Sequence, residues 1–159
     1  RESSASQHPM SVILACIDSR SATELIFDQG FGDIVSIRIA GNVVNEDILG
    51  SIEFACHVLE AKLLLVLGHT NCGAVKAAFG DTPDGNIGPL IDKIKKSMHK
   101  CEHHTEWNDK VTELSKENVF NSIEEIQKDS SLKPLLENNK LKIVGAMYNI
   151  DTGVVDFYD

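Results

Sequence analysis

No apolar run in the chain approaches the roughly 18 residues that a membrane-crossing helix needs, so no membrane segment is expected. The first residues, Arg1-Glu2-Ser3-Ser4-Ala5-Ser6, lack the apolar stretch of a signal peptide. Basic charge is not in surplus: 15 Lys and Arg stand against 24 Asp and Glu, for a net charge of −9. With no basic stripe, nucleic acid is not an expected partner. The acidity is spread along the chain and reads as ordinary solubility. Only four cysteines occur, Cys16, Cys56, Cys72 and Cys101. Without a secretory signal they do not suggest a disulfide framework. They suggest reduced thiols in an intracellular, cytoplasmic setting, free to bind metal. Internal repeats and low-complexity segments are also lacking.

What is present is ordinary for a globular chain: 42% hydrophobic and 25% charged residues over 159 positions. That length suits one domain, spanning 1–159. Residues 1–11 are polar and read as an extended arm. A strand is expected at 12–16, a short helix at 21–29 and a β-branched strand at 34–39. Asn45 is placed to cap a helix running to about residue 60, with Ile48, Ile52, Cys56 and Leu59 as its apolar stripe. Cys56 is therefore expected to pack, and the neighbouring His57 to pack or to cap the helix. A continuous apolar strand follows at 63–67, then a helix at 72–79 closed by Gly80. Between 81 and 140, Leu90, Ile91, Ile94, Met98, Val111, Leu114, Val119, Ile123 and Ile126 recur at helical period and predict several helices. Residues 141–148 and 154–158 are strands, the second able to return antiparallel. The class is α/β: a mostly parallel central sheet of four strands, plus a C-terminal antiparallel strand, flanked by helices.

Two apolar strands end in metal-ligand chemistry. Val12-Ile13-Leu14 leads into Ala15-Cys16-Ile17-Asp18-Ser19-Arg20. Leu63-Leu64-Leu65-Val66-Leu67 leads into Gly68-His69-Thr70-Asn71-Cys72-Gly73. Zinc takes sulfur and imidazole ligands in a tetrahedron, and catalytic zinc keeps three of them. Cys16, His69 and Cys72 supply a Cys2His set of that type. His-x-x-Cys alone is a weak signal; joined to Cys-x-Asp-x-Arg at a second strand end it is specific. Cys72 opens a helix, where backbone amides favour a thiolate. A second Cys/His run, His99, Cys101, His103 and His104, is flanked by lysine and reads as solvated surface.

These motifs resemble the β-class carbonic anhydrases. Cys16-x-Asp18-x-Arg20 and His69-x-x-Cys72-Gly73 are similar to that family's two signatures. The likeness continues through Arg38-Ile39-Ala40-Gly41-Asn42, Gly50-Ser51-Ile52-Glu53-Phe54-Ala55, Ile143-Val144-Gly145-Ala146 and Thr152-Gly153, from about Gln7 to the last strand. The resemblance implies one Zn2+ per chain, a homodimer that pairs into tetramers or larger assemblies, and reversible hydration of carbon dioxide to bicarbonate and a proton by zinc-bound hydroxide. Cys16, His69 and Cys72 would be the ligands. Asp18 would orient the hydroxide, held ionised by Arg20; with Arg20 displaced, Asp18 could close the site as a fourth ligand. Gln7 and the Gly73 amide would face bicarbonate, and Val35, Ala40 and Phe54 would form an apolar wall completed across the dimer.

Two departures carry expectations of their own. One branch of the family has a noncatalytic bicarbonate site built on a Trp where this chain has Ile13, although Arg38 stands where that branch has its Arg. No such site is expected here, and the zinc site is expected open. Family members usually carry a longer N-terminal arm, so residues 1–11 are read as its remnant, or the domain as attached to something upstream, as in members fused behind an anion transporter. His8, His57 and His104 are proton-shuttle candidates by residue type alone. Two other readings remain: a related zinc hydrolase acting on carbonyl sulfide or carbon disulfide, and a noncatalytic regulatory or dimerisation domain stabilised by zinc.

Overall fold

The computed structural model describes residues 4–101 and 106–158. His103 and His104 lie outside the described residues. Five strands form one sheet in the order β2-β1-β3-β4-β5: β1 (Ser11–Ala15), β2 (Ile34–Arg38), β3 (Leu63–His69), β4 (Lys142–Tyr148) and β5 (Val155–Tyr158). The first four run parallel and β5 returns antiparallel to β4, as expected. Residues 12–15 of β1 and 64–67 of β3 are unbroken apolar runs because the sheet buries both faces there. Alternation sends Val12, Leu14, Leu64 and Val66 to one face and Ile13, Ala15, Leu65 and Leu67 to the other.

The first face is covered by α2 (Glu46–Glu53) and α5 (Trp107–Gln127), through Ile48, Ile52, Val119 and Ile126. Asn45 caps α2 as expected, its Oδ1 accepting from the Ile48 amide at 2.9 Å. The expected helix to residue 60 does not continue as an α-helix. From Phe54 to Val58 it widens into a π turn, with the Leu59 amide donating to the Phe54 carbonyl at 3.2 Å. The wider turn puts both Ala55 and Cys56 into the core and turns Phe54, His57 and Val58 outward. His57 is thus not packed but exposed in the last turn of this segment, whereas Cys56 is buried as expected.

Among the described residues there are four smaller α-helices: α1 (Thr23–Ile26), α3 (Gly73–Ala78), α4 (Ile87–Lys95) and α6 (Lys133–Glu137). The expected helix at 21–29 is shorter, a single turn. The long helix α5 buries Val111, Leu114, Val119 and Ile126, and with them the polar Ser115, Asn118 and Ser122. It lies close against the sheet at Gly68, where a Cβ would meet Val119 Cγ2 at 2.7 Å and Met147 Sδ at 2.6 Å. Among the described residues no helix is long and apolar enough to cross a membrane.

Candidate metal centre

β1 and β3 pair in register, Ala15 opposite Leu67, so their C-terminal ends open at one level. Cys16 follows the last residue of β1, His69 ends β3, and Cys72 is the N-cap of α3. All three are buried, at 4%, 1% and 1% exposure. Their donor atoms lie within 4.8 Å of one another. The loop between His69 and Cys72 is pinned from the sheet. The Thr70 amide donates to the Tyr148 carbonyl at 3.0 Å, and Thr70 Oγ1 accepts from the Ile150 amide at 3.0 Å.

The histidine is prepared as a ligand. His69 Nδ1 lies 2.9 Å from the Thr70 carbonyl, which can only accept, so Nδ1 carries the proton and Nε2 the lone pair. Nε2 is buried with no hydrogen-bond partner among the described residues. Burying such an atom alone is unfavourable, and a metal bond removes the cost. Two thiols and one free imidazole nitrogen are the donor set that zinc prefers.

The thiols also want a cation. Their sulfurs are 3.9 Å apart. The Cys16 thiol is pulled down, first by the hydrogen bond from Cys72 and then by contacts that include His69 and the Gly41 amide. Cys72 is pushed up, first by the sulfur of Cys16 and then by burial, although the Ala74 and Val75 amides act the other way. A dication between the two sulfurs would stabilise both as thiolates.

Beside this trio stands the Asp18–Arg20 pair. Asp18 Oδ2 accepts from Arg20 Nη2 at 2.7 Å and Oδ1 from Arg20 Nε at 2.9 Å. This hydrogen-bonded guanidinium holds the Asp18 carboxyl well below the usual carboxylate range. Asp18 Oδ2 is 4.0 Å from His69 Nε2, beyond a hydrogen bond. Both carboxylate oxygens are thus taken up by Arg20.

Residues 11–155, nearly the whole chain, match the carbonic anhydrase family. The chain is 36% identical over 155 residues to carbonic anhydrase 2 of Mycobacterium tuberculosis, covering 94% of this chain and 74% of that one. The crystal structure of the β-carbonic anhydrase CafA of Aspergillus fumigatus superposes with a TM-score of 0.86 at 26% identity, over 97% of this chain and 77% of that one. A structure from Sordaria macrospora, described as one of two tetrameric β-carbonic anhydrases, shares the fold with a TM-score of 0.89 at 21% identity, over 95% of this chain and 81% of that one. The chain belongs to the β-class carbonic anhydrases.

The five substrate-pocket candidates of this β-carbonic anhydrase fall into two groups. Gln7, Val35 and Phe54 meet at one cavity of about 630 Å³ along β2 and α2, together with Ile37 and Leu59. Cys16, His69 and Cys72 do not line it. Ala40 and Gly73 lie instead at the metal centre. Ala40 opens the turn whose Gly41 amide donates to Cys16 Sγ at 3.3 Å, and Gly73 follows Cys72 at the start of α3.

Arg38 has a function that the motifs did not announce. Its Nε donates to the Cys16 carbonyl at 2.8 Å and its Nη2 to the Asp18 carbonyl at 2.6 Å. One side chain thus fixes the backbone on both sides of Ile17. The available signal was an arginine closing an otherwise uncharged strand. Ile13, by contrast, is only 3% exposed and packs with Ala15, Leu65 and Leu67. In the Cys/His run, His99 is exposed, and Cys101 is half-buried with its thiol 3.7 Å from the Ser97 carbonyl.

Proposed function

We propose that this β-carbonic anhydrase hydrates carbon dioxide reversibly to bicarbonate and a proton at one zinc ion held by Cys16, His69 and Cys72. The observation that carries the reading is the convergence of three buried donors beside a carboxylate fully engaged by arginine. A zinc ion in this set lowers the pKa of bound water from about 15.7 toward 7 and so supplies hydroxide at neutral pH. Cys16 and Cys72, as thiolates, bring two negative charges that offset the ion's own. The centre then needs help from a neighbour, and Asp18 is the group in reach. Ionised, it would accept a hydrogen bond from a hydroxide held there and so orient it, and Arg20 would keep the carboxylate ionised and turned away from the ligand trio. The Gly73 amide and Gln7 are donors for bicarbonate. Val35, Ala40 and Phe54 offer an apolar wall that suits carbon dioxide, which has no dipole.

The active unit in this reading is a homodimer, with tetramers as pairs of dimers. Gln7, Val35 and Phe54 face a cavity that their own chain's metal ligands do not line, as residues serving a partner's centre would. That cavity lies along β2, an edge of the sheet. Just ahead of this edge, Leu25 is 84% and Phe31 fully exposed. All four cysteines are free thiols, which fits a reducing compartment such as the cytoplasm.

A zinc hydrolase of carbonyl sulfide or carbon disulfide, or a noncatalytic zinc domain, is less well supported. The identity to named carbonic anhydrases favours carbon dioxide, and a purely structural zinc has no use for the Asp18–Arg20 pair. The deciding comparison is kinetic: initial rates of carbon dioxide hydration and carbonyl sulfide hydrolysis on the same zinc-loaded protein. Carbon dioxide should be turned over faster by orders of magnitude. A preference for carbonyl sulfide would displace the reading.

A further inference from the structure

Two polar side chains on α5 reach, from far along the chain, the turn that borders the metal centre. Asn118 Nδ2 donates to the Gly41 carbonyl at 2.7 Å, and Ser122 Oγ donates to the Asn42 carbonyl at 2.9 Å. Both residues are 1% exposed, and they sit one helical turn apart on the same face. Their acceptors belong to the two left-handed residues of the turn after β2, Gly41 at φ 68° and Asn42 at φ 43°. The amide of that same Gly41 donates to Cys16 Sγ at 3.3 Å.

We propose that Asn118 and Ser122 are positioning residues of the metal centre, holding the Gly41–Asn42 turn so that the Gly41 amide stays on the Cys16 sulfur. The inference rests on the assignment of Cys16, His69 and Cys72 as zinc ligands. An N–H aimed at a thiolate stabilises its charge and fixes the direction from which the sulfur meets the ion. The turn is confined on its other side, since a Cβ on Gly41 would lie 2.6 Å from Ile94 Cδ1. Packing alone does not account for an asparagine at this place. Asn118 Oδ1 and Asn42 Nδ2 are buried without a hydrogen-bond partner among the described residues, which an apolar side chain at 118 would in part avoid. Ser115, on the same helix, shows the contrast. It is equally buried, but its hydroxyl donates within α5, to the Val111 carbonyl at 2.7 Å.

The test compares Asn118→Leu, Ser122→Ala and, as the control, Ser115→Ala. Zinc affinity is read by competition with a chromophoric chelator, and sulfur geometry by the thiolate-to-metal charge-transfer band of the cobalt(II) form. The first two variants should bind zinc roughly 10-fold more weakly and shift the cobalt band. Ser115→Ala should keep the wild-type band and stay within about twofold in affinity, since its hydroxyl leaves the turn untouched. Unchanged affinity and band in both test variants would overturn the positioning role and leave the ligand assignment standing. Equal losses in all three would overturn it too, in favour of general helix packing. Wild-type protein that binds no zinc, or that keeps it after Cys16→Ser, would overturn the ligand assignment and the positioning role together. If Asn118→Leu does not fold, Ser122→Ala, which deletes a single oxygen, decides alone.

Discussion

Arg20 takes both carboxylate oxygens of Asp18, Nε to Oδ1 at 2.9 Å and Nη2 to Oδ2 at 2.7 Å, and its backbone amide adds a third bond to Oδ1 at 3.0 Å. Two residues apart in sequence, they form a closed fork at the rim of the metal trio. The carboxylate is therefore ionised and turned toward the guanidinium. A hydrogen bond from the centre is still compatible with that orientation, whereas direct ligation requires breaking the fork.

Replacing Asp18 should separate catalysis from metal binding. Asp18→Asn keeps the shape and removes the charge. It should lower kcat/KM for carbon dioxide hydration by roughly 100-fold or more, with zinc content by atomic absorption unchanged. Loss of zinc in step with activity would make Asp18 a structural group.

Arg20→Ala removes the fork. Asp18 is then free to turn to the ion, and activity should fall even though every proposed ligand is intact. A crystal structure of the zinc-loaded variant should show the Asp18 carboxylate rotated toward the metal. A carboxylate left in its present orientation would assign Arg20 no gating role.

Arg38→Ala should cost stability before it costs chemistry. Its two bonds hold the Cys16 and Asp18 carbonyls, and losing charged hydrogen bonds of this kind costs about 2 kcal/mol. Urea unfolding should show a lower midpoint with an unchanged slope. Arg38→Lys should recover little, because an ammonium group lacks the planar fork that reaches both carbonyls at once.

Outside the centre, thiol chemistry should be slow. Burial pushes Cys56 up to about 11. Burial, and then the Glu113 and Glu117 carboxylates, push Cys101 up to about 11 as well. A raised thiol pKa means less thiolate below it, so at pH 8 both should carry roughly a hundredfold less than an ordinary cysteine. Iodoacetamide labelling followed by mass spectrometry should show slow modification at pH 8 that accelerates toward pH 11. Rapid labelling of Cys101 at neutral pH would contradict its placement.

Much of the centre was legible because its ligands end apolar strands. Val12-Ile13-Leu14 and Leu63-Leu64-Leu65-Val66-Leu67 announce buried strands, and the residues just past parallel strands collect at one edge of the sheet. The π turn at Phe54–Val58 was not legible. The stripe Ile48, Ile52, Cys56 and Leu59 fits an α-helix as well, and a single widened turn leaves no mark on so short a pattern. Asn118 and Ser122 were hidden for a different reason. A polar residue in a mixed helix reads as solvent-facing, and nothing local tells that its partner lies 77 or 80 positions away. Arg38 stood in the open as a motif residue, but its two carbonyl acceptors are set by the path of the loop after β1. Gln7, Val35 and Phe54 came from the family likeness alone, and their meeting at one cavity away from the metal ligands depends on how α2 packs beside β2.

The central claim is that Cys16, His69 and Cys72 hold one zinc ion at which carbon dioxide is hydrated. Its most direct test is stopped-flow hydration of carbon dioxide by metal-free protein titrated with zinc. The rate should rise in proportion to zinc, level off at one ion per chain, and vanish in His69→Ala. Fully zinc-loaded wild-type protein without hydration activity, or activity that persists without zinc, would contradict the account.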